Sequence, residues 1–436
     1  MTNIHIQDSS DSPYDIFRVL LVSAFAGVLI GIIGGSFRTF LNFIATHFLA
    51  FIAYLHTVDG EWFIPGFLIT ALITGICVGI SRMLVQLDPT TIGSGIQHVE
   101  AVMHEDAEPS KFRALPIKFF GGLLSIGSGM ALGKEGPTVQ IAAVIGSQCG
   151  KLFRLKAAEQ SLLYTAVAGA GLSIAFNAPL SGIAFSFEEI SKKISIKRLI
   201  VSFAAVTSGM IVFRSYFGNS IEFIVDDLLP DSGASLFCYV VFSVLLSFIA
   251  ALYGRAIIGA LNIADSFTTI SPVVKASIIG FGIGLLAYFY PHLVGGGDFQ
   301  VQSILSQDNF VFPLILLMTA RFFLGPICYS SGVPGGIFSP ILLMGSGIGV
   351  LFVLLLNPLL IHIGISQLDP ISFALVGMAA FFTVVVRAPL TGILLVTEMS
   401  GKVGLMIPLL IASVICTIIP ALLKQEPIYD ALRSRG

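Results

Sequence analysis

One glutamate stands in a setting that could bind and release an anion. Glu135 lies between Gly133 and Pro137 in the run Gly-Lys-Glu-Gly-Pro, and an apolar stretch follows it at once. Glycine lets a backbone turn tightly near a ligand, and proline suits the first position of a helix. Helix N-termini attract anions through unpaired N–H groups and about half a positive charge. We therefore expect Glu135 to lie immediately before a helix start, where a free anion would also bind.

Two further glycine-rich segments have the same character. Gly93-Ser94-Gly95-Ile96 offers a hydroxyl and backbone N–H groups, and Gly336-Ile337-Phe338-Ser339-Pro340 offers N–H groups beneath apolar side chains. Any one segment alone could be an ordinary glycine turn between membrane spans. Three of them together favour a site in which partial charges hold an anion without trapping it.

Three glutamates have simpler alternative interpretations. Glu135 could be a solvated loop carboxylate neutralised by Lys134, although a charge inside a membrane segment costs about 2.5–3.5 kcal/mol and usually lines a pathway. Glu188 and Glu189 precede Lys192 and Lys193 by four residues each. That spacing is typical of ion pairs at a helix end. The functional alternative makes one of the two a proton acceptor at the inner mouth of a pathway.

The composition is that of a polytopic membrane protein. Of the 436 residues 55% are hydrophobic and only 11% are charged, whereas soluble domains carry about 25% charged residues. The net charge of −2 does not suggest a nucleic-acid partner, and the five cysteines and seven histidines have no metal-ligand spacing. No hydrolase or nucleotide-binding motif occurs. We expect a transporter and not an enzyme, with no metal or cofactor.

Glycine and proline interrupt many of the apolar segments. Broken backbone at membrane depth survives only where protein or a water-filled cavity covers it, so half-helices that meet at a site are expected. Basic clusters at 151–156, 192–198 and 433–435 predict cytoplasmic positions by the positive-inside tendency, with both termini on that side. The stretch 161–187 must then leave and return on one side, as a re-entrant pair broken near Asn177.

The chain also repeats itself. Four blocks recur in the same order, which predicts two homologous halves around a central substrate site. They are 93–95 with 295–297 (295 − 93 = 202), 118–121 with 321–324 (321 − 118 = 203), 133–137 with 336–340 (the same 203), and 178–183 with 388–393 (388 − 178 = 210). The predicted segments are a cytoplasmic N-terminal segment 1–15, a first membrane repeat 16–218, a connection 219–235, a second repeat 236–424 and a short cytoplasmic tail 425–436. The repeat leaves open whether the halves are parallel or inverted.

The three glycine-rich motifs, in this order, make the chain resemble the CLC family of chloride channels and transporters. Residues 177–183, 388–399 and 427–429 match the family as well, so the resemblance covers essentially the whole membrane region. It implies an all-α fold with two inverted repeats of tilted and broken helices. It also implies a homodimer with one pore per subunit.

The resemblance assigns a chloride site. It places two side-chain hydroxyls and several backbone N–H groups around a central chloride ion, which is the substrate. The residues implied in chloride binding are Ser94, Gly95, Gly136, Ile337, Phe338 and Tyr429.

It also assigns a proton route. Glu135 matches the gating glutamate and Glu189 matches the internal proton glutamate of the family. Glu100 and Lys118 match a buried charged pair near that route. A carboxylate at position 189 resembles the exchanger branch, and Ser94 in place of proline resembles the chloride-preferring branch.

Two residues depart from the family pattern. Gln97 stands where the first motif usually has proline, and Lys134 replaces an arginine common in bacterial members. Gln97 puts the start of the helix that follows the first motif in question. Lys134 places an ammonium point charge at the outer mouth, where arginine would place a planar guanidinium group. Regulatory domains of the cystathionine-synthase type do not follow Tyr429, which resembles prokaryotic members.

The sequence therefore predicts a proton-coupled chloride antiporter of a bacterial inner membrane, in contact with lipid. A passive chloride channel of the same fold is the first alternative. A sodium-coupled solute symporter is the second, since it could share the broken helices and the repeat. Flux of chloride and protons would separate the three.

Overall fold

The structure is a computed structural model that describes residues 13–58, 64–219, 221–226, 228–229, 233–306 and 309–435. Within these residues the chain is helical and has no β-strand, which confirms the all-α prediction. The α-helices are α1 Pro13–Thr57, α2 Gly66–Leu87, α3 Ile96–Met103, α4 Ala114–Gly127, α5 Glu135–Leu152, α6 Ala157–Phe176, α7 Pro179–Phe185, α8 Ile196–Phe217, α9 Gly233–Ser266, α10 Pro272–Phe289, α11 Asp298–Ser306, α12 Val311–Ser330, α13 Phe338–His362, α14 Pro370–Val386, α15 Pro389–Ser400, α16 Met406–Leu422 and α17 Ile428–Arg433.

Eight helices in the described part of the chain are long and apolar enough to cross a membrane, which identifies an integral membrane protein. Helical backbone satisfies its own N–H and C=O groups, as lipid requires. The spans are Tyr14–Thr57, Gly66–Leu87, Ile196–Phe217, Ser235–Ser266, Pro272–Phe289, Val311–Ser330, Phe338–His362 and Val403–Leu422. The predicted site is carried by the shorter helices α3, α5 and α17 and by the start of the span α13.

The two halves meet in reciprocal contacts. Gly133 and Gly336, which are equivalent at the offset of 203, exchange backbone hydrogen bonds of 2.8 and 2.7 Å in an antiparallel bridge. Equivalent residues pair mutually in this way across a two-fold relation. The two halves are therefore related by a two-fold axis, as the inverted repeats implied by the resemblance require.

The boundaries of the two repeats stay a prediction. The helix α8 ends at Phe217, just before the predicted connection 219–235, and α9 begins at Gly233, within that connection. Residues 220, 227 and 230–232 of that connection lie outside the described residues, as do residues 1–12 of the N-terminal segment and residue 436 of the tail.

One predicted helix start is wrong. Glu135 does not precede α5 but is its first residue, and Pro137 occupies the third position. The backbone of Lys134 already has right-handed helical angles (φ −80°, ψ −20°), so the turn into the helix comes earlier. Proline at the third position costs little, because N–H groups of the first turn have no intrahelical partner.

The predicted break at Asn177 is confirmed. Asn177 ends α6 in the left-handed conformation (φ 53°), and α7 begins two residues later at Pro179. Asparagine tolerates this conformation better than most residues, and proline then starts the new helix with a preset φ. The same sequence of events separates α14 from α15, where Arg387 has φ 72° and precedes Pro389.

Candidate functional site

The carboxylate of Glu135 is fully buried and bonds to the other half of the molecule. The Phe338 N–H donates to Glu135 Oε1 at 2.7 Å, and the Ser339 hydroxyl donates to Oε2 at 3.3 Å. Glu135 is 0% exposed. The side chain thus binds the N-terminus of α13, which is an anion site by its geometry. The alternative of a solvated loop carboxylate is wrong.

The energies at Glu135 are closely matched. Holding a carboxylate at membrane depth costs about 2.5–3.5 kcal/mol. A hydrogen bond to a charged group contributes about 1.5–3 kcal/mol, and a helix N-terminus contributes up to about 2 kcal/mol. The carboxylate is therefore held where it is bonded, but with little surplus. Another anion, or a proton, could displace it.

Two hydroxyl groups near Glu135 have no hydrogen-bond partner. Ser94 Oγ and the Tyr429 hydroxyl are both buried, and neither has a partner in the described part of the chain. The two hydroxyls lie next to each other, and the Tyr429 hydroxyl also interacts electrostatically with Glu135 and Glu189. Buried polar groups are nearly always hydrogen-bonded. Two unsatisfied donors at one point indicate the place of a ligand that accepts hydrogen bonds.

Glycine brings the first turn of α5 against Ser94. A Cβ atom at position 136 would collide with the side chain and backbone of Ser94. Gly95 precedes α3 with φ 89°, a conformation that favours glycine. The starts of α3 and α5 are therefore brought together by Gly95 and Gly136, two residues of the predicted chloride set.

Gln97 replaces the expected proline without leaving the turn open. Its Oε1 accepts a hydrogen bond from Gly95 N–H at 3.0 Å, and its Nε2 donates to the Ile92 carbonyl at 3.1 Å. The amide side chain thus closes the turn before α3 from both sides. These two bonds define the start of α3, which the replacement of proline by Gln97 had put in question.

Aromatic rings surround the start of α13. Ile337 occupies the N-cap position of that helix. The Phe338 ring packs against Phe185, Phe382 and Tyr429 at centroid distances of 5.7, 4.7 and 5.9 Å. These rings are buried, so the N–H group of Phe338 faces the carboxylate in an environment from which water is excluded. Electrostatic interactions are strong there.

Lys118 and Glu100 are both buried, but Lys118 bonds elsewhere. Its Nζ donates to the carbonyls of Gly93 and Ser94 at 2.7 and 3.0 Å. Among the described residues it makes no ion pair with Glu100. The ammonium therefore holds the turn that presents Ser94, because two carbonyls at close range satisfy it. Glu100 lies instead beside the carboxyl group of Glu189.

Glu189 lies on a π-helical turn, Ser186–Ser191, that continues α7. Such turns are often functional, because the extra residue redirects a side chain. Glu189 is 2% exposed, and its Oε1 has no partner in the described part of the chain. No cation lies against it at ion-pair distance within the same residues. Its carboxyl is thus buried beside Glu100.

The predicted pairing of Glu188 with Lys192 is wrong. Lys192 has left-handed backbone angles (φ 48°), and its Nζ bonds to Asp430 at 2.8 and 3.0 Å. Glu188 bonds to the start of α15 instead. The i,i+4 rule holds only on a continuous α-helix, and the π turn removes that geometry. The Lys192–Asp430 pair joins the end of this turn to α17, which carries Tyr429.

An ion-pair network beside Glu135 was not predicted from the sequence. Lys134 Nζ lies 2.8 Å from both Glu222 and Asp298, and Glu222 also pairs with Arg38 at 2.5 Å. The paired residues are 88, 164 and 184 positions apart along the chain, so no local pattern could have revealed them. A cavity of about 620 Å³ reaches Lys134, Asp298 and Ser339. It gives solvent access to the network next to Glu135.

Two more side chains at the candidate site were not predicted from the sequence. The Tyr329 hydroxyl accepts a hydrogen bond from Ser94 N–H at 3.4 Å, and Glu398 bonds to the start of α7. No sequence motif indicated Tyr329. The repeat could have indicated Glu398, because it is equivalent to Glu188 at the offset of 398 − 188 = 210.

Known proteins resemble this chain in sequence and in structure. A family model described as voltage gated chloride channel matches residues 74–421. The protein named H(+)/Cl(-) exchange transporter ClcA from Vibrio parahaemolyticus is 34% identical over 96% of this chain and 90% of its own length. The protein of that name from Klebsiella pneumoniae is 34% identical, over 96% and 88%.

Solved structures agree. A slow cyanobacterial Cl⁻/H⁺ antiporter superposes with a TM-score of 0.89 at 31% identity, covering 96% of this chain and 97% of the other. A CLC-type fluoride/proton antiporter has a TM-score of 0.78 at 20% identity, over 96% and 98%, and shows the shared fold. The chain belongs to the CLC family of chloride channels and transporters.

Proposed function

We propose that this protein is a proton-coupled chloride antiporter, with Glu135 as its outer gate and Glu189 as its inner proton acceptor. The observation that carries the proposal is the buried Glu135 carboxylate on the Phe338 N–H, beside the unpartnered hydroxyls of Ser94 and Tyr429. Relatives of similar length that are named as H(+)/Cl(-) exchange transporters support it.

The exchange follows from competition at the start of α13. When Glu135 is ionised, its oxygens take the N–H group that a chloride ion would use. When Glu135 accepts a proton, its charge is lost, and the helix N-terminus is left without an anion. Chloride then occupies the place beside Ser94 and Tyr429. The binding of a proton by Glu135 and the entry of a chloride ion are thus one coupled event.

The inner proton step uses the two neighbouring carboxyl groups. Glu100 and Glu189 lie side by side, both buried. Two carboxylates so close repel each other, which favours a state in which the pair retains a proton. Glu189 can therefore take a proton from the inner side and release it toward Glu135, and the Tyr429 hydroxyl lies within electrostatic range of both.

Flux from liposomes tests the function directly. The purified protein is reconstituted with a chloride gradient, and chloride and external pH are recorded together. We expect chloride movement to drive protons in the opposite direction, against their own gradient. Chloride flux with no proton movement would identify a passive channel, which is the alternative within this fold. Uptake of an organic solute that requires sodium but no chloride would favour the symporter.

We further propose that the protein is a homodimer in a bacterial inner membrane, with both termini in the cytoplasm. Leu180 and Leu390, at the starts of α7 and α15, are each about half exposed, and such apolar side chains must be covered by lipid or by a second copy. The mass of the detergent-solubilised complex, measured by light scattering, tests the dimer. A mass of one chain would contradict it.

Removing either unpartnered hydroxyl should weaken chloride binding. Ser94→Ala and Tyr429→Phe each delete one hydrogen bond to an anion, which is worth about 1.5–3 kcal/mol, so Kd should rise by about tenfold or more. Calorimetric titration with chloride measures this. Tyr253→Phe is the matched control, because Tyr253 is equally buried but packs on Phe322 and Phe381. An unchanged Kd in both variants would remove these hydroxyls from the site.

A further inference from the structure

Two glutamates cap each other's helices across the two-fold relation. Glu188, in the first half, accepts hydrogen bonds from Leu390 N–H at 3.0 Å and from Thr391 N–H at 2.7 Å, and from the Thr391 hydroxyl at 2.9 Å. Glu398, in the second half, accepts from the N–H groups of Leu180 and Ser181 at 2.9 and 2.8 Å, and from the Ser181 hydroxyl at 2.5 Å. The six bonds form two equivalent sets of three.

Neither α7 nor α15 has a side chain at its own N-terminus that could accept hydrogen bonds from its first N–H groups. The residues before α7 and α15 are Ala178 and Ala388, which have no side-chain acceptor, and the first helical residues are Pro179 and Pro389. Proline has no N–H, so the free donors of the first turn begin at the second and third positions. These are the N–H groups that the glutamate of the opposite half accepts. A carboxylate is a favourable partner at that end of a helix.

The pairing ties the proton residue to the other half of the chain. Helix α7 runs without interruption into the π turn that carries Glu189. The start of α7 is held by Glu398, and the next turn is held through Glu188, the immediate neighbour of Glu189. The segment is therefore anchored at both ends on α15 of the second half. Glu189 Oε1 has no hydrogen-bond partner in the described part of the chain, so the carboxyl group depends for its position on these two anchors and on its neighbour Glu100.

We propose that Glu398 is a positioning residue for Glu189, acting through α7 and the π turn, so that the proton step depends on a carboxylate in the opposite repeat. This inference rests on the proposed antiport function. Within the described residues the Glu398 carboxylate bonds to Leu180 and Ser181, which lie outside the predicted chloride set. Loss of the cap should let the start of α7 shift, which displaces Glu189 from Glu100. Displacement by about 1 Å is enough to slow a step that needs aligned groups.

A graded series of variants tests the proposal in chloride-loaded liposomes. Glu398→Ala removes all three bonds, Glu398→Gln keeps an amide oxygen as acceptor, and Ser181→Ala removes one bond. The proton-to-chloride ratio should fall to roughly half or below in Glu398→Ala, less in Glu398→Gln, and least in Ser181→Ala. Glu426→Ala is the matched control, because Glu426 is an exposed glutamate just after the second repeat. Its ratio should equal that of the wild type.

A double-mutant comparison separates positioning from general damage. In a Glu189→Gln background the proton step is already removed, so adding Glu398→Ala should leave the chloride rate unchanged. An unchanged proton-to-chloride ratio throughout the series would overturn the proposal, as would an equal loss of chloride rate in both backgrounds. If Glu398→Ala does not assemble, Glu398→Gln and Ser181→Ala decide the matter. A wild-type protein without proton coupling would instead refute the proposed function itself.

Discussion

Replacing Glu189 by glutamine should abolish proton transport while chloride still crosses the membrane. The amide has nearly the size of the carboxyl group, so the π turn and α7 keep their packing, but it cannot bind and release a proton at accessible pH. The proposed chloride site beside Ser94 and Tyr429 keeps all its groups. We expect the proton-to-chloride ratio to fall to the detection limit in reconstituted liposomes, with chloride flux retained.

The control for this result is Glu188→Gln, which alters the neighbouring carboxylate but leaves Glu189 in the chain. It should reduce coupling only in part, because the amide oxygen still accepts one of the three bonds from α15. Proton coupling at the wild-type level in Glu189→Gln would remove Glu189 from the mechanism. Protons would then have to reach Glu135 by another route.

The second large effect is expected at Glu135. In Glu135→Gln the side chain can no longer titrate, and the negative charge that competes with chloride at the Phe338 N–H is gone. Chloride transport should therefore become independent of pH, and proton transport should be lost. Chloride efflux measured from acidic to neutral pH, with external pH recorded in parallel, tests both parts. The two variants differ in one respect, because Glu189→Gln should keep a pH-dependent chloride rate.

Glu426→Gln serves as the control for Glu135→Gln, since it removes one exposed carboxylate without touching the site. Coupled exchange that persists in Glu135→Gln would refute competition between this carboxylate and chloride. A chloride rate that still rises as the pH falls would do the same, because a second titrating group would then control access.

The ion-pair network explains why Lys134 forms its ion pairs with residues other than Glu135. Lys134 is its neighbour in sequence, yet the Lys134 ammonium is held by Glu222 and Asp298. A lysine that paired with Glu135 would stabilise the carboxylate and oppose its exchange for chloride or a proton. The network also places Asp298, which is partly exposed, at the cavity beside Glu135.

Much of the site could be predicted from the sequence, for local reasons. Glycine and proline dictate where a helix can start, and Asn177 before Ala178-Pro179 marks a helix end that the structure confirms. The repeat identified Gly133 and Gly336 as equivalent residues. Ser94 and Tyr429 were predicted from the resemblance, and the structure finds both buried without partners.

The predicted side-chain pairs were wrong, because the true partners are distant in sequence. Glu188 and Lys192 have the spacing of an ion pair, but a π turn intervenes and each bonds to the second half. Lys118 bonds to carbonyls and not to Glu100. Spacing along the chain indicates neighbours only when the backbone between them is a regular helix.

The sequence by itself determined that this is a membrane protein of two related halves, with a carboxylate at a helix start. Composition, cost of charge in lipid and backbone preference are properties of the residues themselves. The tertiary structure alone decided which N–H groups the carboxylates meet. Glu135 bonds to Phe338, which lies 203 positions away, and Glu398 to Ser181, which lies 217 away. Such bonds exist because the two-fold arrangement brings each helix start to the opposite half, and no local preference encodes it.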